Sequence, residues 1–502
     1  MDVWSLLEGA RERAPQGLAV ADGPRRLAYG ELHRRASALA RALTAHGVAR
    51  GDRVAILAWN GAEYVEATFA AAGLGAVLVP VNARLADPEV AAILGLAGAR
   101  AAIVSPDLAR EVPGVLRIGP EYEAELARHA GPWTAEPAAP DEVAHLYFTS
   151  GTTGLPKGVP LTHRNVCAHA RAAVAELGLA ASDVWAHLAP MFHLADAWAT
   201  LAITQVGGVH ATLPKFDAGA ALALIERERV TITNLVPTML ARMVAHPEAD
   251  ARDYRSLRLL LSGGAPIAPA LVERVIGTFR CEYAQTYGMT ETSPYLTISL
   301  LRESMRALPP AEQLRIRCRT GRAFGPVELR VVGDDGSDVP RDDRTVGEIL
   351  ARGETVTPGY WLDEAATRAA FRDGWLATGD LAVIDAEGYL AIVDRKKDVV
   401  KTGGETVYTT EVENALHAHP AVVEVAVVGL PDADLGERIV AAVVLREGAS
   451  ADAEELRRAC RAVLAGFKVP REVRFVNELP RTGSGKVSKR LLRELCARPR
   501  AP

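Results

Sequence analysis

The sequence predicts an α/β protein of at least two domains, ending in a small α+β domain. Three observations carry that expectation. The chain has 502 residues, too many for one compact core. Its first part alternates helical apolar periodicity with short apolar runs, the order of a parallel sheet covered by helices. The character of the chain then changes near Asp394-Arg395-Lys396-Lys397-Asp398, and the C-terminal remainder is long enough to fold as a unit of its own.

The elements come in order. Residues 31–46 place Leu32, Ala36, Leu39, Ala40 and Leu43 on one face, which predicts a helix. Gly51-Asp52 punctuates, and Val54-Ala55-Ile56-Leu57 reads as a buried strand. A helix is expected over residues 62–72 and a strand over 76–79, stopped by Pro80. Residues 67–81 and 197–214 carry no charge, yet glycines and a proline interrupt them. They are expected to be buried helix-to-strand segments and not membrane spans. Residues 232–236 and 257–261 continue the strand series, and 135–140 (AEPAAP) form a surface connection. Residues 422–428 and 439–445 read as two strands separated by the turn-rich 431–436.

Charge narrows the function classes. The 57 Lys and Arg against 62 Asp and Glu leave a net charge of -5 with no basic tail or stripe. Nucleic-acid binding therefore has no electrostatic footprint. The start, Met1-Asp2-Val3-Trp4-Ser5, has an early acid and no basic-then-apolar leader, so no secretory signal is expected. Five scattered cysteines without metal-ligand spacing suit a reducing, cytoplasmic setting.

The chemistry lies in loops. Thr149-Ser150-Gly151-Thr152-Thr153-Gly154-Leu155-Pro156-Lys157-Gly158 comes directly after a strand-like lead-in at 144–148. Its glycines let backbone N–H groups converge, and three further hydroxyls (Ser150, Thr152, Thr153) with the Lys157 ammonium complete a site for phosphate oxygens. The glycine-to-lysine spacing is not that of a P-loop. This loop resembles the phosphate-binding signature of the adenylate-forming enzymes: acyl-CoA synthetases, adenylation domains of peptide synthetases, and firefly-type luciferases. The resemblance recurs in order along nearly the whole chain.

The resemblance implies a role for each later motif. Gly263, Gly264 and Ala265, within Ser262-Gly263-Gly264-Ala265-Pro266, are similar to the loop lying along adenine. Tyr287-Gly288-Met289-Thr290-Glu291-Thr292 matches the segment in which the aromatic ring stacks on the base, the threonine (Thr290) contacts phosphate and the glutamate (Glu291) helps hold Mg2+, a hard cation that requires oxygen ligands. Asp380, ending Trp375-Leu376-Ala377-Thr378-Gly379-Asp380, resembles the aspartate that accepts from both ribose hydroxyls, with Arg395 as a second ribose contact. Lys397 aligns with the hinge. Lys486, within Pro480-Arg481-Thr482-Gly483-Ser484-Gly485-Lys486, resembles the catalytic lysine of the C-terminal loop. His193, Asn234 and Val236 would border the acyl pocket, joined by Asp196 and Trp198. Gly403 and Gly404 would let a pantetheine arm pass close to backbone, although Thr406 stands where asparagine is frequent.

The implied architecture is a large N-terminal domain of layered sheets and helices over residues 1–394, a hinge at 395–397, and a small mobile C-terminal α+β domain over 398–502, with the active site between them. The implied reaction joins a carboxylic acid to ATP, giving acyl-AMP and pyrophosphate, and then passes the acyl group to the thiol of CoA. Two anions must meet in the first step, so concentrated positive charge is needed and no protein nucleophile is. Amino-acid-activating relatives carry aspartate where this chain has His193, which disfavours amino-acid substrates. Residues 300–322 resemble short- and medium-chain or aryl acyl-CoA ligases. An acyl or peptidyl carrier protein is the alternative acceptor, and the absence of an insertion found in some carrier-loading ligases favours free CoA. A luciferase-type oxygenase has nothing specific in its favour. A non-catalytic nucleotide-binding protein would be expected to lack Lys486, Asp380 or Glu291, and all three are present.

Overall fold

The computed structural model describes residues 1–108, 114–149, 156–481 and 487–498. They gather into two compact units: Met1–Leu329 with Ala351–Leu376, and Arg330–Leu350 with Ala377–Pro502.

The first unit is built on two sheets. One has the strand order Val115–Arg117, Ala99–Val104, Arg53–Leu57, Val77–Pro80, Val143–Thr149 and Lys157–Thr162. Its neighbours are parallel except for the last two, which form a hairpin. The other runs Arg322–Ala323, Tyr295–Ile298, Glu282–Gly288, Leu259–Gly263, Ile232–Leu235, Val184–His187, Val209–Thr212, Leu18–Asp22 and Arg25–Ala28. From Glu282–Gly288 to Leu18–Asp22 every neighbouring pair is parallel.

Strands buried on both faces of a parallel sheet read as continuous apolar runs. Val77–Pro80, Ile232–Leu235 and Leu259–Gly263 are buried at every residue. The uncharged stretches have the same origin: helix Ala62–Leu74 is buried almost end to end, and Leu194–Val206 leads into strand Val209–Thr212. Among the described residues no helix is long and apolar enough to cross a membrane. One core joins residues of both sheets, Ile56, Val79, Trp185 and Leu261 among them, with helix residues such as Phe69. A second core, around Leu260, Val275 and Tyr283, lies elsewhere in the same unit. Each fully buried large apolar side chain contributes roughly 1.5–3 kcal/mol, so these cores hold the strand ends, and the loops that leave them, in fixed positions.

In the second unit, residues 380–384 pair antiparallel with Leu390–Arg395, Asp380 opposite Arg395. A further sheet takes the order Glu405–Val407, Val400–Thr402, Gly436–Leu445, Val422–Asp432, with Glu472–Phe475 added parallel to Gly436–Leu445. Alternate residues of these strands enter two small cores. Val427, Ala441 and Val443 meet Val412, Leu416, Leu456 and Cys460 from helices Thr409–His417 and Ala453–Val463, while Val428, Val440 and Ala442 meet Leu492 and Cys496 from Lys489–Ala497. The turn expected over 431–436 is tighter than its composition suggests. Pro431 and Asp432 still pair with Glu437 and Gly436, and Asp432 Oδ1 accepts the backbone N–H groups of Asp434 and Leu435, each at 3.1 Å. The expected boundary at 394/395 falls inside this second unit.

Candidate active site

Parallel strands deliver their loops to one edge, where ligands of open α/β sheets bind. In the large sheet, Leu259–Gly263 and Glu282–Gly288 are adjacent and in register, Gly263 beside Thr286. The loop Gly263-Gly264-Ala265 therefore leaves next to Tyr287. Contact there is close: a Cβ on Gly263 would lie 2.5 Å from Thr286 Oγ1. Gln285 Nε2 donates to the Ala265 carbonyl at 3.0 Å and steadies the loop. Tyr287 is half-buried, its ring packed against the cluster of Leu296, Val327 and Ala351.

Beyond Tyr287 the chain doubles back. Met289 N–H donates to the Pro294 carbonyl at 3.0 Å, and Thr292 Oγ1 donates to the same carbonyl at 2.6 Å. Gly288 is squeezed into this fold: a Cβ there would lie 1.8 Å from Pro294 O. Its φ is not positive, so the need for glycine is steric. The doubled segment holds Thr290 half-buried and Glu291 buried.

A strap at residues 354–361, which sequence reasoning missed, ties this segment to the phosphate-loop hairpin. Thr149 and Lys157 face each other across that hairpin; Ser150, Gly151, Thr152, Thr153 and Gly154 lie outside the described residues. Thr357 N–H donates to the Glu291 carbonyl at 2.8 Å, and Thr357 Oγ1 donates to the Pro160 carbonyl at 2.6 Å. Trp361 N–H donates to the Gly158 carbonyl at 2.8 Å. Asn165 Nδ2 holds the Glu354 and Val356 carbonyls at 2.8 and 2.9 Å. Tyr360 donates its hydroxyl to Glu291 Oε1 at 2.9 Å, and Lys157 Nζ sits 5.1 Å from the centre of its ring. Burial, and then the adjacent Glu291 charge, keep the Tyr360 hydroxyl well above the usual tyrosine range, so it remains a donor. Glu291 Oε2 makes no hydrogen bond among the described residues. A buried carboxylate with one oxygen held and one open suits Mg2+, which takes one or two carboxylates and completes its shell with phosphates and water.

The acyl-side residues sit at the same edge. Asn234 and Val236 end Ile232–Leu235, beside Leu259–Gly263, and a Cβ on Gly264 would lie 3.6 Å from Val236 Cγ1. Asn234 Nδ2 donates to the Ala195 carbonyl at 2.7 Å. His193, half-buried, is the residue before helix Leu194–Val206, its ring edge-on to Phe192 at 4.8 Å. Asn60, also missed, clamps the loop before it, donating to the His187 and Ala189 carbonyls at 3.0 and 2.8 Å and accepting from Met191 N–H at 2.8 Å. Asp196 does not offer its carboxylate to a pocket. Oδ2 lies 2.5 Å from His187 Nδ1, Oδ1 accepts from Trp185 Nε1 at 3.3 Å, and the chain runs on through His210 to Thr204, all fully buried. Trp198 Nε1 donates to Tyr295 Oη at 3.2 Å.

In the second unit Asp380 is buried, with Oδ1 3.2 Å from Arg395 Nε. Lys397 has its carbonyl bound by Arg493 Nη2 at 3.4 Å, and the same guanidinium pairs with Asp398 at 2.9 Å. Gly403 and Gly404 form a two-residue turn between Val400–Thr402 and Glu405–Val407, with φ of 58° and 83°, the left-handed values such a hairpin turn demands. Thr406 is engaged, Lys401 Nζ donating to its Oγ1 at 2.6 Å. Lys486 lies outside the described residues; Arg481 and Val487, on either side of its loop, form a β-bridge.

Two family models match the chain, AMP-binding enzyme over residues 7–361 and AMP-binding enzyme C-terminal domain over residues 411–486. The chain is 39% identical over 485 residues to a feruloyl-CoA synthase of Amycolatopsis sp, with 95% of each chain covered. It is 36% identical over 522 residues to a long-chain-fatty-acid–CoA ligase of Thermus thermophilus, covering 98% of this chain and 95% of that one. The o-succinylbenzoate CoA synthetase of Bacillus subtilis, solved with an acyl-adenylate intermediate, superposes with a TM-score of 0.88 at 30% identity, over 100% of this chain and 99% of that one.

Proposed function

The chain belongs to the family of AMP-binding enzymes, and on that premise we propose that it is an ATP-dependent acid–thiol ligase that converts a carboxylic acid to its CoA thioester through an acyl-adenylate. The observation that carries the reading is the convergence of Gly263–Ala265, Tyr287 and Thr290–Glu291 at one edge of the large sheet, which the 354–361 strap ties to Lys157 on the hairpin of the other sheet. Gly264 beside Val236 supports an acyl pocket adjoining the base.

A carboxylate oxygen attacks the α-phosphorus of ATP and pyrophosphate leaves. Both partners are anions, so the barrier falls where positive charge is fixed in place beforehand. Lys486 bridges the carboxylate and the α-phosphate oxygens, and Lys157 with the loop Thr149, Ser150, Gly151, Thr152, Thr153 and Gly154 holds the departing phosphates. Thr290 contacts phosphate, and Glu291, one of whose oxygens is held by Tyr360, is the residue that would hold Mg2+. Magnesium supplies charge neutralisation on the phosphate oxygens when bound with ATP. Tyr287 stacks on adenine beside Gly263, Gly264, Ala265 and Gly288, and Asp380 with Arg395 receives the ribose. The thiol then displaces AMP from the acyl carbon after the small domain, residues 398–502, turns about Lys397, bringing the Gly403-Gly404 turn to the pantetheine arm. His193, Asn234 and Val236 border the acid, which is a non-amino monocarboxylic acid, aryl or fatty, as the named relatives' substrates suggest. A cytoplasmic setting suits five cysteines that are all free.

Lys486→Ala should abolish acid-dependent exchange of pyrophosphate into ATP while the thermal unfolding midpoint stays put; unchanged exchange would remove the assignment. A panel of aryl and fatty acids, assayed with CoA and separately with a phosphopantetheinylated carrier protein, identifies both substrates. Loading of the carrier alone would rule out CoA.

A further inference from the structure

We propose that Tyr360 is a positioning residue for the first half-reaction, setting through one side chain both the carboxylate that receives the metal and the lysine that meets the phosphates. The inference rests on the metal role of Glu291 and the phosphate role of Lys157 in the proposed function. Glu291 is 69 residues from Tyr360 in sequence, yet Oε1 accepts the Tyr360 hydroxyl at 2.9 Å. A carboxylate free to rotate about its last torsion would present either oxygen to a cation. With Oε1 committed to a donor, only Oε2 remains, and the carboxylate plane is fixed before metal or nucleotide arrives. The ring does a second job. Lys157 Nζ lies 5.1 Å from its centroid, inside the range where an aromatic face attracts an ammonium. The long lysine side chain is thereby held over the phosphate-loop hairpin and not left sampling solvent.

The backbone around Tyr360 is built to hold this geometry. Its N–H donates to Thr367 Oγ1 at 2.9 Å, while Thr367 Oγ1 donates to the Asp363 carbonyl at 2.8 Å. Thr357 and Trp361 fasten the strap to Glu291, Pro160 and Gly158 on either side. A Cβ on Gly359 would lie 2.6 Å from Thr367 Cγ2, and one on Gly158 would lie 2.9 Å from Trp361 Cβ. Glycine at 158 lets strap and hairpin approach closely, and glycine at 359 lets the strap pack against Thr367 of the helix Glu364–Ala370 that follows it.

The test is equilibrium binding of ATP to the full chain by titration calorimetry, with Mg2+ and separately with a chelator. The proteins are the wild type, Tyr360→Phe, Tyr360→Leu, Glu291→Gln and the Tyr360→Phe/Glu291→Gln double variant, each checked for an unchanged melting midpoint. Tyr360→Phe keeps the ring and loses the hydroxyl. It should reduce Mg2+-dependent affinity about tenfold, the loss of one hydrogen bond to a charged group, and leave metal-free affinity within about twofold. Tyr360→Leu should also weaken metal-free binding by about threefold, because Lys157 loses its ring. In the double variant, Tyr360→Phe should add nothing to Glu291→Gln, since both act through one carboxylate. Equal losses with and without metal in Tyr360→Phe, or losses that multiply in the double variant, would overturn the positioning role while leaving the enzyme assignment intact. If Glu291→Gln retains the full Mg2+ enhancement, the metal role of Glu291 and the role of Tyr360 fall together.

Discussion

Acid should loosen the first unit through two histidines that take no part in the chemistry. His145 and His169 are both buried, and burial lowers each imidazole from 6.5 to about 3. Neither has the surroundings to accept a proton cheaply. Both ring nitrogens of His145 and Nδ1 of His169 lack hydrogen-bond partners among the described residues. The His169 ring stacks on Phe324 at 5.2 Å and meets Trp198 and Tyr295 edge-on at 5.1 and 5.3 Å. Because the folded value lies below the unfolded one, the unfolded chain binds the proton first. Stability is therefore complete above the unfolded value of about 6.5 and declines as pH falls toward the folded value of about 3. Between pH 7 and about pH 5, each histidine costs about 2 kcal/mol. Urea unfolding followed by tryptophan fluorescence reads this unit, since all seven tryptophans lie in it. The comparison is wild type against His169→Phe at both pH values, so that carboxylate titrations common to both proteins cancel. The stability difference should shift by about 2 kcal/mol in favour of the variant on acidification. A difference that stays constant would show that His169 is protonated in the folded state and would refute the reasoning.

Two further substitutions separate kinds of glycine. Gly288→Ala places a Cβ 1.8 Å from the Pro294 carbonyl oxygen, so the segment bearing Thr290 and Glu291 must shift. We expect a loss of about 1–3 kcal/mol in stability, as for other overpacked sites, together with loss of pyrophosphate exchange; a normal melting curve with full exchange would contradict it. Gly403→Val meets only ordinary contact, Leu435 Cδ2 lying 3.6 Å from the added Cβ, but its φ is 58°, a strain of about 1–2 kcal/mol for a side-chain-bearing residue. Thioester formation should fall more than pyrophosphate exchange in that variant, and equal losses would count against separate faces for the two half-reactions.

The sequence exposes what is local and hides what is closed over distance. Strand runs such as 54–57 and 232–236 are legible because a strand buried on both faces needs apolar residues without interruption. The loops are legible because glycine, hydroxyl and lysine crowd into a few consecutive positions, as in 149–158. Tyr360 gives no such sign. It is an ordinary aromatic after Pro358-Gly359, and its meaning comes from Glu291 in a loop of the large sheet, across hydrogen bonds that no pattern of neighbours encodes. Asp196 misleads for the same reason: its closeness in sequence to His193 predicts a place at the pocket, whereas its carboxylate belongs to a buried chain with Trp185, His187 and His210 on adjacent strands. The glycines make the point most sharply. Gly288 and Gly403 carry the same letter, and each stands in a motif that the resemblance assigns to a ligand, the nucleotide for one and the pantetheine arm for the other. The structure assigns them different causes, a carbonyl packed against the Cα of one and a left-handed turn at the other. Neither cause requires a ligand, so glycine here is first a condition of the loop's shape. The chemistry depends on it only through the side chains that the shape carries, Thr290 and Glu291 beyond Gly288 and the turn that Gly403 begins.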